Sequence, residues 1–425
     1  MDQFDYRAGQ LHCEAVAVAQ IAEAVGTPAY IYSAATLRSH YRRLTEAFAP
    51  IDPLICFSVK SLCNLHILRL LAAEGSGFDV VSGGELFRVR QAGGDMSKVV
   101  FAGVGKTDAE LSEAIAAGIA LFNIESEAEF ENLARLAAKA GRDVRAALRV
   151  NPDVYDPKTH RYTTTGKKET KFGVDIDRAE QFFAAYGRDP HARLEAIHFH
   201  IGSPIYSAGP YVEAIRKTLE LIGRLRKGGF EITTLNIGGG YAADYEQGQS
   251  PLAADYAAEV VPALTGADLR VILEPGRQIA CNAGILLARV VYVKEGADRT
   301  FIITDAAMTD LIRPALYGGW HFIWPVRSAT APQRTRDAVA DEGILADVVG
   351  GVCESSDFLG KDRRLPPVRR GDLLAVFSAG AYGFTMASQY NARPRAVEAL
   401  VEDGAFRIIR RRETYEDLIG PELGL

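Results

Sequence analysis

The chain has 425 residues, 48% of them hydrophobic and 24% charged, with a formal net charge of −6. That composition describes a globular protein long enough for two cores, and its mildly acidic balance argues against nucleic acid or a membrane surface as partner. The opening MDQFDYRAGQ has no apolar signal core and no apolar run approaches a membrane span. The five cysteines (Cys13, Cys56, Cys63, Cys281, Cys353) lack CxxC spacing, so free thiols in a reducing cytoplasm are expected.

In chain order, residues Leu54 to Pro275 alternate short apolar runs with longer stretches. The runs are Leu54–Val59, Phe78–Val81, Lys98–Ala102, Leu121–Ile124, Arg145–Val150, Ala196–Ile201, Thr234–Ile237 and Val271–Leu273. Each is short and rich in β-branched or aromatic residues, as a buried parallel strand should be. Ser126–Ala140 and Tyr211–Lys227 carry helical periodicity between them. The pattern predicts an α/β fold, a (β/α)8 barrel over residues 33–280; a doubly wound sheet is the alternative. After Ala280 the segments GILLARVVYVK, RTFIITDA, ILADVVGGVC and DLLAVFSAGAYG read as strands, separated by turn-rich stretches such as GKDRRLPPVRRGD. A mostly β domain of residues 1–32 and 281–425 is expected.

Lys60, Ser82, Asn151, His200, Gly238, Glu274 and Arg277 all fall at or just past the C-terminal ends of the expected strands, which in a barrel meet at one mouth. Lys60 follows LICFSV; a lysine there is ordinarily a snorkelling surface residue, but at a barrel mouth its amine can form a Schiff base. NIGGGY (Asn236–Tyr241) and EPGR (Glu274–Arg277) follow strands seven and eight, where barrels commonly build phosphate sites. Glycines let backbone N–H groups approach phosphate oxygens, and Arg277 can add a bidentate contact. Glu274 suits the pyridine nitrogen of pyridoxal 5′-phosphate, where a carboxylate keeps the ring an electron sink. In HFHIGS, His198 and His200 alternate as on a strand, a spacing that also serves metals. The chain's eight histidines offer no later set to complete such a site, so the expectation is no metal, His200 packed flat on the cofactor, Ser203 on phosphate, and His198 a satisfied core residue. Cys353, beside acids in CESSD, is a candidate proton donor.

Taken together, FSVK, GFDVVSGGEL, HFHIGS, NIGGGY, EPGR, CESSDFLG and GAYGF resemble, in order and over nearly the whole chain, the fold-type III pyridoxal-phosphate decarboxylases. That family joins an alanine-racemase-like barrel to a β domain. TGKKETKFG (Thr165–Gly173), DAAMTDLIRPALYG (Asp305–Gly318) and MASQYNARPR (Met386–Arg395) narrow the resemblance to diaminopimelate decarboxylases. The resemblance implies decarboxylation of meso-2,6-diaminopimelate to L-lysine and CO2, the last step of lysine biosynthesis. It implies that Lys60 binds the cofactor covalently, His200 stacks on it, Ser203, Gly238, Gly239, Gly240 and Gly276 hold the phosphate, and Glu274 meets the ring nitrogen. Arg277, Arg313, Tyr317, Glu354 and Tyr382 fall where the family binds substrate, Tyr382 also near the cofactor, and Cys353 matches the proton donor. Cys353 and Glu354 would reach the neighbouring subunit, giving a homodimer with shared active sites.

The substrate's far end carries a carboxylate and an ammonium, which Arg313 and Glu354 would read. A decarboxylase of a basic amino acid or of carboxynorspermidine, an alanine racemase, a non-catalytic pyridoxal-phosphate-binding barrel, and a metal-dependent hydrolase using His198 and His200 are the rival readings. Departures from the family pattern are Ser61 and Leu62 after the lysine, GGVCESSD as the cysteine motif, and Gly319-Trp320. Trp320 is the change that bears most on substrate preference.

Overall fold

The computed structural model describes residues 3–157, 159, 171–297, 299–329, 332–338 and 343–424. The chain divides into two compact units: His40–Ala242 with Pro251–Arg277, and Met1–Ser39 with Ala243–Ser250 and Gln278–Leu425.

The first unit is an eight-stranded parallel barrel. Its strands are β1 Leu54–Ser58, β2 Gly77–Val80, β3 Val99–Phe101, β4 Leu121–Ile124, β5 Val144–Asn151, β6 Ala192–His198, β7 Thr234–Asn236 and β8 Arg270–Leu273. Each pairs in parallel with the next, and β8 returns to β1 through Ile272 opposite Leu54, so the eight strands close on themselves. Cys56, Val100, Leu121, Ala147, Ala196 and Ile272 form one buried cluster of the core. The doubly wound alternative is thereby excluded.

Local chemistry fixes the crossover helices. Thr107 and Glu110 close a capping box ahead of Asp108–Ala117, and Gly118 ends that helix in the left-handed region. Ser82, expected among the polar residues of the mouth, is an N-cap whose oxygen accepts the Glu85 N–H at 3.2 Å. β6 stops at His198, earlier than expected, so His200 lies in the following loop and does not share a strand face with His198. Beyond it Phe199 N–H donates to Asn236 O, at the end of β7, as the chain leaves the barrel wall.

The second unit is mostly β. Gly284–Glu295 pairs antiparallel with Ala29–Ser33, Thr300–Thr304 and Leu373–Val376. Ala29–Ser33 is buried throughout and pairs in parallel with Val397–Glu402 on its other side. Half of the stretch expected to be a turn, GKDRRLPPVRRGD, is strand: Phe358–Leu365 pairs antiparallel with Ile344–Val349. It ends one path of the sheet, where charged side chains suit an edge strand and disguise it in the sequence. Among the described residues no helix is long and apolar enough to cross a membrane.

Candidate active site

The barrel site starts from Lys60. β1 ends at Ser58, and a single 3-10 turn, Val59–Ser61, carries the lysine past the strand end. Its Nζ lies 2.8 Å from Oδ2 of Asp79, a fully buried acid on β2 that also accepts the Ser58 hydroxyl at 2.6 Å. Asp79 Oδ1 has no hydrogen-bond partner. Burial raises the Asp79 pKa, and the Lys60 ammonium only partly offsets it. The departures after the lysine are packed inward: Ser61 and Leu62 are buried, and Ser61 Oγ donates to Ser58 O at 2.7 Å.

Glu274 follows β8 and is 3% exposed, so its carboxylate has to be satisfied by protein groups. Asn236 Nδ2 donates to its Oε1 at 2.6 Å and Asn123 Nδ2 at 3.2 Å, while His198 Nε2 lies 3.5 Å from Oε2. Burial alone would raise its pKa; His198, Lys60 and the Asn236 amide outweigh burial and hold it well below the usual carboxylate range. Glu274 is thus pushed towards the ionised form while burial pushes Asp79 the other way. His198 is buried as expected but not satisfied: neither ring nitrogen has a hydrogen-bond partner.

The loop after β7 is shaped by contacts that no side chain tolerates. A Cβ on Gly239 would stand 2.0 Å from Glu274 O, and one on Gly240, at φ +105°, 2.2 Å from Gly202 O. Gly238, at φ +67°, would clash with Phe199 O, and its N–H donates to Asn236 Oδ1 at 2.9 Å. Asn236 therefore holds the carboxylate and the loop together. Tyr211 O–H donates to Gly239 O at 2.9 Å, bracing the loop from behind. Gly276 packs so closely on Ser58 and Ser61 that a Cβ would lie 2.9 Å from Ser58 Cβ. Among the described residues the buried N–H groups of Gly239, Gly240 and Gly276 have no protein acceptor. Buried donors in that state require a ligand or water. Arg277 Nε donates to Ser203 Oγ at 3.2 Å, joining the loops after β6 and β8.

His200 Nδ1 accepts the Gly202 N–H at 3.2 Å. Burial, with the Arg149 and Lys60 cations, pushes the imidazole well below its ordinary value, leaving a neutral flat ring. Arg149 pairs with Glu125 at 2.9 Å. Most of TGKKETKFG, through Thr170, lies outside the described residues; Gly173 N–H reaches Glu125 Oε2 at 3.1 Å.

The second unit holds the remaining expected residues. Arg313 begins a short helix, Arg313–Tyr317, and is 8% exposed. Its guanidinium lies 4.5 Å from the Tyr245 ring centroid and donates to the Tyr245 hydroxyl, yet Nε has no partner and, among the described residues, no carboxylate pairs with it. Tyr317, at the end of this helix, is half-buried. The Trp320 ring lies against Arg336 and Arg363, 5.3 and 5.0 Å from its centroid, and against Phe322. Cys353 and Glu354 are exposed, and Tyr390 O–H donates to Glu354 Oε1 at 2.7 Å. Tyr382 sits at φ +56°, a strained value for a bulky residue.

A family described as pyridoxal-dependent decarboxylase, pyridoxal binding domain, matches residues 34–281. A diaminopimelate decarboxylase of Pseudomonas aeruginosa is 46% identical over 422 residues, covering 99% of each chain. The chain belongs to the diaminopimelate decarboxylases. Among solved diaminopimelate decarboxylases, one from Helicobacter pylori complexed with L-lysine superposes with a TM-score of 0.89 at 38% identity, covering 95% of this chain and 98% of that one. One from M. jannaschi gives 0.92 at 34%, covering 100% and 98%.

The cofactor of this family is pyridoxal 5′-phosphate, and the residues of this barrel fit it. Unpaired N–H donors suit a phosphate, Lys60 offers an amine, and Glu274 a buried anion for a protonated ring nitrogen. Asp79, Asn123, Asn236 and Glu85 were not among the expected site residues. The acid inside the apolar run FDVV is the signal for Asp79, and NIGGGY already contained Asn236.

Two outcomes follow from this geometry. Asn236→Ala strips a partner from both Glu274 and Gly238, so cofactor affinity should fall on the order of tenfold or more, read by absorbance titration. Burial pushes Glu85 up to about 7 from an ordinary 4.5. Below pH 4.5 the acid is protonated folded or unfolded; as pH rises towards 7 the unfolded chain ionises first, so folding stability is lost. Glu85→Gln should remove a fall on the order of 2 kcal/mol between those pH values, seen in urea midpoints of the cofactor-free protein.

Proposed function

We propose that this protein decarboxylates meso-2,6-diaminopimelate at its D-configured end, giving L-lysine and CO2 in the cytoplasm, as a homodimer with shared active sites. The observation that carries the substrate is Arg313. A guanidinium buried without an acid is costly unless a ligand supplies one, and the distal carboxylate of diaminopimelate does. Ornithine, lysine and arginine have no such group, so a decarboxylase of basic amino acids has no use for Arg313. The L-lysine held by the Helicobacter pylori relative supports the product. The five free cysteines suit a reducing compartment.

When bound, pyridoxal phosphate supplies the electron sink that takes up the pair left by departing CO2. The residues do the rest. Lys60 would hold the cofactor through Nζ, and Asp79, which accepts that ammonium at 2.8 Å, would take up its charge when the amine is free. Glu274, held ionised by Asn236 and Asn123, fixes a proton on the ring nitrogen. The N–H groups of Gly239, Gly240 and Gly276, with Ser203, Gly238 and Arg277, bind phosphate. His200 would offer the cofactor a neutral flat ring, and Tyr382 is carried over from the family as a residue near it. Arg313, Tyr317 and Arg277 orient substrate carboxylates. Glu354, from the partner subunit, takes the distal ammonium, and Cys353 Sγ delivers a proton to the α-carbon.

The test is CO2 release. Purified enzyme with pyridoxal phosphate should turn over meso-diaminopimelate and leave ornithine and arginine untouched; the reverse preference rejects the assignment. Arg313→Ala should raise KM for diaminopimelate by about 10- to 100-fold, the range of a lost charge-assisted pair. Lys60→Ala should abolish the visible absorbance of lysine-bound cofactor; a wild type that stays colourless with added cofactor overturns the role of Lys60.

A further inference from the structure

The Cys353–Glu354 pair sits on a turn held from several sides. Asp357, 5% exposed, accepts the Val352 N–H at 2.6 Å and the Met308 N–H at 2.7 Å, closing the turn on itself and on the Asp305–Asp310 loop. The two exposed residues of the turn are gripped by one further segment. Asn391 Oδ1 accepts the Cys353 N–H at 2.9 Å, and Tyr390 O–H donates to Glu354 Oε1 at 2.7 Å. Consecutive residues of one segment thus engage consecutive residues of the other.

That segment is built for the purpose. Asn391 (φ 56°) and Ala392 (φ 53°) are two successive non-glycine residues in the left-handed region, which asparagine tolerates and alanine rarely adopts. The strain is held by flanking anchors. Gln389 Nε2 and the Arg395 N–H both donate to Glu413 Oε2 at 2.9 Å, and Arg395 Nε to Glu413 Oε1 at 2.6 Å. The Ser388 N–H meets Thr309 O at 3.0 Å, and the Arg393 guanidinium donates to the Asp305 carbonyl. A surface tyrosine–carboxylate contact is by itself worth little; strain maintained by anchors on both sides marks this one as selected geometry.

We propose that Tyr390 and Asn391 are positioning residues for the Cys353–Glu354 pair. Asn391 fixes the backbone that carries the thiol. Tyr390 occupies Oε1 of Glu354 and leaves Oε2 for the distal ammonium of the substrate. The inference rests on the reading that Cys353 and Glu354 act on substrate.

The experiment compares steady-state kinetics of the holoenzyme on meso-diaminopimelate for Glu354→Ala, Tyr390→Phe and the double variant. Glu354→Ala raising KM at least tenfold establishes the reading; no change sinks it. Given that rise, Tyr390→Phe should raise KM three- to tenfold with kcat within twofold, and should add nothing in the Glu354→Ala background. A Tyr390→Phe enzyme with unaltered KM, or an additive double variant, overturns the role of Tyr390. For Asn391, alanine should lower kcat at least tenfold and aspartate, which keeps the acceptor, should restore most of it. Aspartate should also move the pH midpoint for iodoacetamide alkylation of Cys353 upward, because an anion then faces the thiolate. Unchanged kcat in the alanine variant, or an aspartate variant that neither restores kcat nor shifts the midpoint, overturns the role of Asn391.

Discussion

A carboxylate kept ionised inside a closed apolar barrel is the constraint around which the site is organised. Glu274 is nearly inaccessible, and an unpaired buried anion would take up a proton instead of staying charged. Two amides, an imidazole and the Lys60 cation reverse that tendency. They come from β4, β6, β7 and the turn after β1, so barrel closure is the condition for the charge. Asp79, on β2, lacks comparable support and is pushed the other way. The two buried acids thus have opposite tendencies, and the one pushed upward is the one that accepts the Lys60 ammonium.

The glycine loop is coupled to the same network. Asn236 uses its amide nitrogen on Glu274 and its oxygen on Gly238 N–H, so the buried carboxylate and the glycine loop share one side chain. Close approaches of Gly239 and Gly240 to carbonyl oxygens leave no room for a Cβ, while among the described residues their own N–H groups have no protein acceptor. A loop of this kind is stable in company with an anion, which links its folding to the binding of one.

The second unit solves a different electrostatic problem. Arg313 is held by the face and hydroxyl of Tyr245, partners that orient a guanidinium without neutralising it. The Trp320 ring, the departure with the greatest bulk, is occupied by two other guanidinium groups and Phe322. Glu354 lies on a separate turn, where it accepts the Tyr390 hydroxyl and the neighbouring Cys353 N–H meets Asn391. A cation and an anion, each oriented by neutral groups, are what the proposed recognition of a molecule with two amino-acid ends requires.

The sequence by itself determined eight short apolar runs with intervening amphipathic stretches and put Lys60, Gly238 and Glu274 at strand ends, while closure of β8 on β1 decided for a barrel over a doubly wound sheet. It also determined the motifs, since glycine and lysine at those places have few physical alternatives. It misread local exits: His200 leaves the strand because the chain turns after His198, and GKDRRL forms an edge strand that charge disguises. Tertiary structure alone decided which partners set each charge. Asp79, Asn123, Asn236 and His198 are far apart in sequence, and the state of Glu274 or Lys60 depends on distances of about 3 Å that no local pattern encodes. The same holds for Arg313, whose want of an acid partner becomes visible when its surroundings are assembled.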